Sequence, residues 1–205
     1  YSKRFAFDLS SNLRLFGEEG RYRHNIDFSP RFRVNDKILL TAYGGRFFWP
    51  NDVGFVNYDG DSIILGKRDN VTFEGLVQAN YTPNVKMSFG LRLRHYWSFA
   101  EYSAFYNLGD DGSLLPTTYN SFDAVGNSID DVNFNAFNVD FVYTWFFAPG
   151  SELNIVWKNS IYQFGTYLPE NYLDDIDQVF DAPVGNNFSI KLLYYLDYLY
   201  LKKKQ

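Results

Sequence analysis

The sequence predicts an all-β protein: an antiparallel transmembrane β-barrel with eight readable strands, in a single domain over residues 1–205. Three observations predict this fold. Apolar and polar residues alternate with the period of two that is typical of strands. Short turns alternate with long connections, as they do in outer-membrane barrels. The apolar positions are aliphatic at mid-strand and aromatic toward the strand ends, as expected of a face that meets lipid.

The first two strands show the alternation most clearly. Within residues 3–15 the apolar residues, among them Phe5 and Leu9, stand at odd positions, and within residues 21–34 they stand at even positions. Pro30 has no amide donor, so it predicts a local gap in strand pairing. The other predicted strands are residues 38–48, 62–82 with an irregularity at 68–70, 85–98, 133–147, 152–164 and 187–201.

The connections between the strands differ in length from one rim to the other. Tight turns of Pro, Gly, Asn and Asp are predicted at residues 35–37, 83–84 and 148–151. Long loops are predicted at residues 16–20, 49–61, 99–132 and 165–186. This arrangement predicts periplasmic turns on one side and extracellular loops on the other, with both termini on the periplasmic side because the strand count is even.

The residue types favour an apolar face that points outward to lipid. In the strand from residue 85, Leu91 and Leu93 stand at mid-strand and Trp97 near the end. The predicted aromatic girdle at the lipid interfaces consists of Tyr22, Trp97, Tyr143, Trp145, Trp157, Tyr198 and Tyr200. The alternative is a soluble ligand-binding β-barrel, in which the same apolar face would point inward.

Charged residues on the opposite parity are predicted to form a charge network in the lumen. Its predicted members are Arg21, Arg23, Asp27, Arg31, Arg33, Glu74, Arg92, Arg94, Asp140, Lys158, Lys191 and Asp197. In a closed barrel of eight strands they would fill the interior as ion pairs without a pore. In a larger barrel they would line a water-filled wall that favours anions.

The acidic residues gather in the three longest loops, which contain no Lys or Arg, so the net charge of −5 combines an acidic rim with a basic strand region. A solvated loop surface explains this pattern, and divalent cations that bridge the loops to one another or to lipopolysaccharide phosphates are the alternative. The acidic rim argues against a nucleic-acid partner. The chain has no Cys, which excludes disulfides and thiolate metal sites.

Little in the sequence points to catalysis. His24 and His95 are the only histidines, and their parity places both on the lipid-facing side. An outer-membrane hydrolase acting on lipid or glycan would use His95 with Ser98 or Ser103 as its nucleophile. No signature surrounds either serine, so we predict a protein that is not an enzyme and that has neither a cofactor nor a metal site. Asp59-Gly60-Asp61 and Asp110-Asp111-Gly112 resemble fragments of calcium loops, but the EF-hand spacing is missing and turn chemistry is favoured.

Three strings carry a resemblance to a known family. They are NVTFEGLVQANYTPNVKMSFGLRLRHYWS at 70–98, FAPGSELNIVWKN at 147–159 and NNFSIKLLYYLDYLYLKK at 186–203. They are similar to the C-terminal outer-membrane barrel domain, of unknown function, in Bacteroidota proteins that carry an N-terminal module similar to family 9 carbohydrate-binding domains. The resemblance covers about the last two thirds of the chain and implies fold and location, but no catalytic residues.

The chain departs from that family in two ways. The carbohydrate-binding-like module is absent, and eight strands are fewer than the family barrel is expected to have. The chain also opens on Tyr1 with neither Met nor a signal peptide. These features predict a processed or truncated product that corresponds to the C-terminal part of a longer protein.

We therefore predict a non-enzymatic protein in the outer membrane of a Gram-negative bacterium, acting as a membrane-embedded scaffold or a pore component. Its predicted partners are outer-membrane lipids and lipopolysaccharide, with other outer-membrane proteins in a complex and no nucleic acid. The solute and the partner proteins are not encoded in any motif of the sequence.

Overall fold

The computed structural model describes residues 3–196 and residue 198, and over these residues the chain forms one antiparallel sheet and one helix. The strands follow the chain in the order β1-β2-β3-β4-β5-β7-β8-β9, while β6 pairs with β5. The elements are β1 (Phe5–Leu15), β2 (Tyr22–Asn35), β3 (Ile38–Asp59), β4 (Ser62–Asn84), β5 (Met87–Leu108), β6 (Leu114–Pro116), β7 (Val132–Ala148), β8 (Ser151–Gly165), α1 (Tyr172–Asp181) and β9 (Val184–Leu193).

The strand count and the closed barrel both need correction. The sheet has nine strands, because the three-residue β6 joins the eight long strands. The sheet is also open: over the described residues, β1 pairs with β2 alone and β9 with β8 alone. Alternation determines which face a side chain occupies, but closure depends on strand number and stagger, which alternation does not encode.

Strands β3, β4 and β5 are longer than predicted, at 22, 23 and 22 residues. They extend through most of the predicted loop 49–61 and into the predicted loop 99–132. Register shifts interrupt β3 between Trp49 and Asp52 and again between Phe55 and Asn57, and Asn51 has a positive φ of 54°. Each irregularity moves the alternation by one position, so the sequence pattern fades although pairing continues.

Helix α1 lies within residues 165–186, which the sequence analysis assigned to a loop. The Asn171 side chain caps the helix by accepting hydrogen bonds from the amides of Leu173 and Asp174, and Asp174 and Asp175 stand in the first turn. Ten residues of helix amid polar loop sequence leave too short a pattern for periodicity to reveal. Within the part of the chain that the structure describes, no helix is long and apolar enough to cross a membrane.

The last strand begins and ends earlier than predicted. Strand β9 covers Val184–Leu193, whereas the alternation predicted residues 187–201. Two predicted site residues, Asp197 and Tyr200, lie outside the described residues, as do the lysines at 202–204.

The strand register carries each parity across the whole sheet, so that the sheet has one apolar and one polar face. One row of directly paired residues on the apolar face is Leu9, Phe28, Gly44, Gly75, His95, Phe137, Ile161 and Val184. One row on the polar face is Ala6, Arg31, Thr41, Gln78, Arg92, Asp140, Lys158 and Asn187.

Candidate functional site

Helix α1 lies against the apolar face, at the end of the strands away from the short turns. The Tyr172 ring is 5.3 Å from the ring of His95, 5.7 Å from that of Phe73 and 6.0 Å from that of Trp97. At the other end of the helix, the Phe180 ring is 5.1 Å from that of Phe137. The helix therefore crosses the sheet from β4 to β8 and covers the part of the face that carries His95.

Under the helix, polar side chains of the sheet and of α1 form a hydrogen-bonded cluster, which we call the helix cluster. Its members are His95, Trp97, Asn133, Asn135, Tyr172 and Asp175. The alternation of β7 places Asn133 and Asn135 on the apolar face, although both side chains are polar. Because buried polar groups need partners, these two asparagines indicate that another element covers the face here.

The hydrogen bonds define the protonation of His95. Its Nε2 lies 3.2 Å from Oδ1 of Asn135, and its Nδ1 lies 2.8 Å from the Tyr172 hydroxyl. An amide oxygen only accepts, so Nε2 carries the proton and donates it to Asn135. Nδ1 is then the acceptor for the Tyr172 hydroxyl. Burial, followed by the nearby Asp175, raises the pKa of Tyr172, so this hydroxyl keeps its proton.

Asp175 completes the cluster from the helix side. Its side chain is fully buried, and Oδ1 accepts a 2.6 Å hydrogen bond from Nδ2 of Asn135. Its other oxygen, Oδ2, has no hydrogen-bond partner and lies 3.6 Å from Nε2 of His95. Burial raises the pKa of Asp175 from about 3.8 to about 6. The carboxylate is thus held in a site that favours its neutral form.

A second pair of hydrogen bonds attaches the segment that precedes the helix. The indole Nε1 of Trp97 donates to Oδ1 of Asn133 at 2.8 Å, and Nδ2 of Asn133 donates to the carbonyl of Tyr167 at 3.0 Å. Trp97 is only 3% exposed. The helix cluster therefore fixes both α1 and its approach to the sheet.

The two serines that the hydrolase hypothesis paired with His95 lie elsewhere. Ser98 stands on the polar face, 2.8 Å from the Thr72 hydroxyl, whereas His95 stands on the apolar face. Ser103 is eight residues beyond His95 on β5, and its hydroxyl donates to the carbonyl of Lys67. The hydroxyl that contacts His95 is instead that of Tyr172. The contact between His95 and Tyr172 therefore positions helix α1, and neither Ser98 nor Ser103 is placed to act as a nucleophile with the His95 imidazole.

The predicted lumen residues share the polar face. Arg31, Arg92, Asp140 and Lys158 stand in the one row named above, and Nη2 of Arg94 pairs with Asp140 at 2.8 Å. The remaining described members occupy the same face with other partners. Asp27 accepts a hydrogen bond from Ser10 at 2.7 Å, and the Arg23 guanidinium lies 3.9 Å from the Trp49 ring. Arg33, Glu74 and Lys191 share the face. Within the row named above, Arg92 also lies 3.5 Å from Gln78.

Arg21 belongs to a separate network centred on Asp52. Asp52 is 4% exposed and lies 3.2 Å from Arg21 and 3.3 Å from Arg68, and it accepts a hydrogen bond from Asn70. Glu18 is the second partner of Arg21, at 2.8 Å. The sequence did not indicate Asp52 and Arg68 as partners, because Asp52 falls in the predicted loop 49–61. The bulge between Trp49 and Asp52 shifts the alternation of apolar and polar residues, so the period of two does not show that the strand continues through Asp52.

The predicted girdle residues divide between two environments. Tyr143 and Trp145 lie on the apolar face near the short turns, where the Tyr143 ring packs against Phe89, whereas Trp157 lies at mid-strand on this face, opposite Phe141, with its ring against Phe188. The Tyr22 ring packs against Phe48 near the other end. Trp97 is covered by α1, and Tyr198 is exposed outside the strands.

The acidic loop fragments have turn geometry. Gly60 and Gly112 have positive φ values of 59° and 83°, as tight turns require. The Asp111 side chain accepts from the Ser113 amide, and hydrogen bonds from Ser113 lower the pKa of Asp111. Over the described residues, no group of three His, Asp or Glu side chains is placed to hold a metal ion.

Comparison with known proteins gives one match. The profile of a family described as "Domain of unknown function (DUF5916)" matches residues 1–205. The chain belongs to this family. Searches of the curated proteins and of the solved structures return no significant match.

Membership in DUF5916 confirms the part of the resemblance that concerns a domain of unknown function, and it extends that part to the whole chain. The Bacteroidota source, the carbohydrate-binding-like module and the barrel stay predictions. Because the DUF5916 description contains no activity, the function has to be argued from the two faces and the helix cluster.

Proposed function

We propose that the sheet is part of the wall of an outer-membrane β-barrel in a Gram-negative bacterium, where it serves as a membrane-embedded scaffold or a pore component. One observation carries the proposal: a single apolar face extends across all eight long strands and leaves large apolar side chains exposed. In the edge strand β1, Phe7 is 58% and Leu9 63% exposed, and in β9, Phe188 is 73% and Ile190 72% exposed.

The height of this face supports a bilayer environment. On β7 the apolar run extends from Trp145 to Phe137, eight residues apart, and each β7 residue between them on this face is apolar or aromatic. Eight residues span about 27 Å along a strand, which at the tilt of outer-membrane barrels gives a height of about 20 Å. The apolar band of such barrels is about 25 Å tall.

Helix α1 fits the upper border of this band. Its Tyr172 and Asp175 hydrogen-bond to His95 and Asn135, in the two rows where polar residues first appear on the apolar face of β5 and β7. The helix side away from the sheet exposes Asp174 and Asp177 to water. A helix that lies along the interface, with its apolar side against the protein, satisfies both environments.

The two edges of the sheet require partners in such an environment. Unpaired backbone amides and carbonyls are not tolerated in hydrocarbon, so β1 and β9 must pair with each other or with further strands. In either arrangement the polar face becomes the lumen. Closure between β1 and β9 gives a filled barrel and a scaffold, whereas further strands give a wider wall and a pore component.

Single cysteines test the proposal directly, because the chain has no native Cys. An environment-sensitive fluorophore on Phe141→Cys, on the apolar face, should be quenched by lipids that carry a spin label on their acyl chains. The same fluorophore on Asn138→Cys, on the polar face, is the matched control and should not be quenched. Quenching of the second alone would reverse the facing, and quenching of neither, in protein that stays soluble without detergent, would refute the membrane location.

A further inference from the structure

A furrow without side chains runs along the apolar face beside α1. Gly44 of β3 pairs directly with Gly75 of β4, and Ala42 follows one position down the same face. A Cβ atom placed on Gly44 would meet no atom within 4 Å, so the backbone here borders open space. We call this feature the glycine furrow. Two neighbouring cavities, of about 480 Å³ and about 410 Å³, share Phe28, Gly44, Gly75 and Tyr172 in their walls.

The walls of the glycine furrow are apolar except at one end. Phe28 stands on one side, Val77 and Leu93 on the other, and Tyr172 and Ile176 of α1 border the end that faces the helix. His95 also borders the furrow, beside Gly75, but its Nδ1 and the Tyr172 hydroxyl are paired with each other. An extended hydrocarbon chain matches such a surface, because the rest of the walls and the Gly44–Gly75 floor are apolar.

Arg46 stands at the upper end of the furrow, one position beyond Gly44 on the same face. It pairs with Ile26 of β2 and Phe73 of β4. It is exposed, and its guanidinium lies 5.0 Å from the Phe48 ring and 5.7 Å from the Phe73 ring. From the row of Tyr81 to the row of Phe73, it is the one Arg or Lys on the apolar face of the described strands.

The position of Arg46 along the strand matters as much as its charge. Phe73 is eight residues above Tyr81 on β4, so Arg46 stands about 20 Å above the lower aromatic row when the strands tilt as in outer-membrane barrels. That is the border at which α1 lies. A cation at the border of an apolar band faces the phosphate groups of lipids rather than their acyl chains.

From these observations we propose that the glycine furrow binds lipid A, the phosphorylated acyl glycolipid of lipopolysaccharide, with one acyl chain along Gly44 and Gly75 and a phosphate at Arg46. The inference rests on the proposed function. It commits to lipid A because Arg46 lies at the rim that carries α1 and the long connections, and the sequence predicts that these connections are extracellular, on the side of the outer leaflet. Arginine is suited to this role because its planar guanidinium binds phosphate through two parallel hydrogen bonds.

Native mass spectrometry of the full chain in detergent, with added bisphosphorylated lipid A, tests the proposal. Arg46→Gln removes the charge, and Gly44→Leu fills the furrow. We expect Arg46→Gln to lower lipid A retention about fivefold, since one basic side chain at an anionic lipid surface contributes about 1 kcal/mol. Gly44→Leu should lower it at least as much. Lipid A with a single phosphate should be retained less well than the bisphosphorylated form by the unchanged protein.

Two variants on the polar face are matched controls. Arg92→Gln removes a charge there, and Gly90→Leu adds the same side chain at a glycine where a Cβ would meet Asn80 at 3.7 Å. Both should retain lipid A at the unchanged level. The shift in electrophoretic mobility between boiled and unboiled samples reports that each variant is folded.

Three results would overturn the inference. They are unchanged lipid A retention in folded Arg46→Gln and Gly44→Leu, equal losses in the polar-face controls, and retention of phosphatidylglycerol with the same dependence on Arg46 and Gly44. Each of these leaves the barrel proposal standing, because that proposal fails only if the apolar face does not contact lipid in the quenching experiment.

Discussion

The carboxylate of Asp175 lies 3.6 Å from Nε2 of His95, yet the hydrogen bond that it accepts comes from Asn135. The amide of Asn135 bridges the two groups, with its oxygen toward the imidazole and its nitrogen toward the carboxylate. Since Asp175 stands in α1 and the other two stand in β5 and β7, this bridge attaches the helix to the sheet through polar contacts rather than through apolar burial alone.

Docking of α1 is expected to depend on pH through Asp175. An acid whose pKa is raised by folding contributes stability that is fully present below its unfolded pKa and is lost as pH rises through its folded pKa. For Asp175 these values are about 3.8 and about 6. We expect the contribution of Asp175 to docking of α1 to be largest below pH 4 and to fall between pH 4 and pH 6 by about 3 kcal/mol, at about 1.4 kcal/mol per pKa unit.

Hydrogen exchange of the α1 amides, expressed as protection factors that correct for intrinsic rates, measures this change. Asp175→Asn keeps the size of the side chain and removes the titration, so its protection should not depend on pH in this range. His95 and Tyr172 are the other titratable groups that face the carboxylate. His95→Gln therefore serves as the control for the imidazole. A pH dependence that persists in Asp175→Asn would assign the effect to another group.

Asn135→Ala should weaken the helix cluster at any pH. It leaves Nε2 of His95 and Oδ1 of Asp175 buried without partners, and a buried polar group that loses its hydrogen bond costs about 1–3 kcal/mol. Asn138→Ala is the control, since Asn138 lies on the polar face and contacts Tyr162 through one long hydrogen bond of 3.4 Å. Denaturant titration of the two variants should show a clear loss in the first and a small one in the second. Equal losses would mean that the cluster adds nothing to stability.

We expect the buried ion pairs of Asp52 to contribute more to the free energy of unfolding than the exposed ion pair of Glu18. Asp52→Ala leaves Arg21 and Arg68, both largely buried, without their shared carboxylate, and removal of one member of a buried ion pair costs several kcal/mol. We expect about 3 kcal/mol in denaturant titration. Glu18→Ala removes the exposed partner of Arg21, whose side chain is 63% exposed, and should cost less than about 1 kcal/mol. A cost for Asp52→Ala as small as that of Glu18→Ala would contradict the assignment.

The placement of side chains on the two faces could be predicted from the sequence, because a period of two survives wherever strand pairing is regular. The expected gap at Pro30 is present: pairing between β2 and β3 stops at Phe28 and resumes at Arg31 in the same register. The irregularity expected near Arg68 is also present, as a register shift between Lys67 and Arg68. Both irregularities in strand pairing are confined to a few residues, so the sequence around them could indicate them.

The helix cluster could not be predicted in this way. Its contacts join residues as far apart as His95 and Tyr172, which are separated by 77 positions. Alternation placed His95 and Trp97 correctly on the apolar face, but it contains no information on what covers that face. The asparagines at 133 and 135 were the available signal, because polar residues on an otherwise apolar parity imply a buried partner.

Phe141→Arg tests the orientation of the apolar face by stability. Phe141 stands at mid-strand on β7, between Leu91 of β5 and Trp157 of β8. A charged side chain at the middle of the lipid-facing band of a barrel costs about 2–4 kcal/mol. Asn138→Arg, on the polar face of the same strand, should cost far less. Urea titration of protein refolded into vesicles measures both, and equal costs would show that the two faces do not differ in environment.

Removal of β9 tests whether the last described strand belongs to a barrel wall. Strand β9 pairs with β8 along its whole length, from Val184 opposite Ile161 to Leu193 opposite Glu152. Deletion of residues 184–193 would leave the amides and carbonyls of β8 open to hydrocarbon, where each unsatisfied group costs several kcal/mol. We therefore expect the truncated chain to lose membrane insertion and the mobility shift between boiled and unboiled samples. Deletion of residues 202–205 alone is the matched control and should preserve both. A chain without residues 184–193 that still migrates as a compact species before boiling would exclude β9 from the wall.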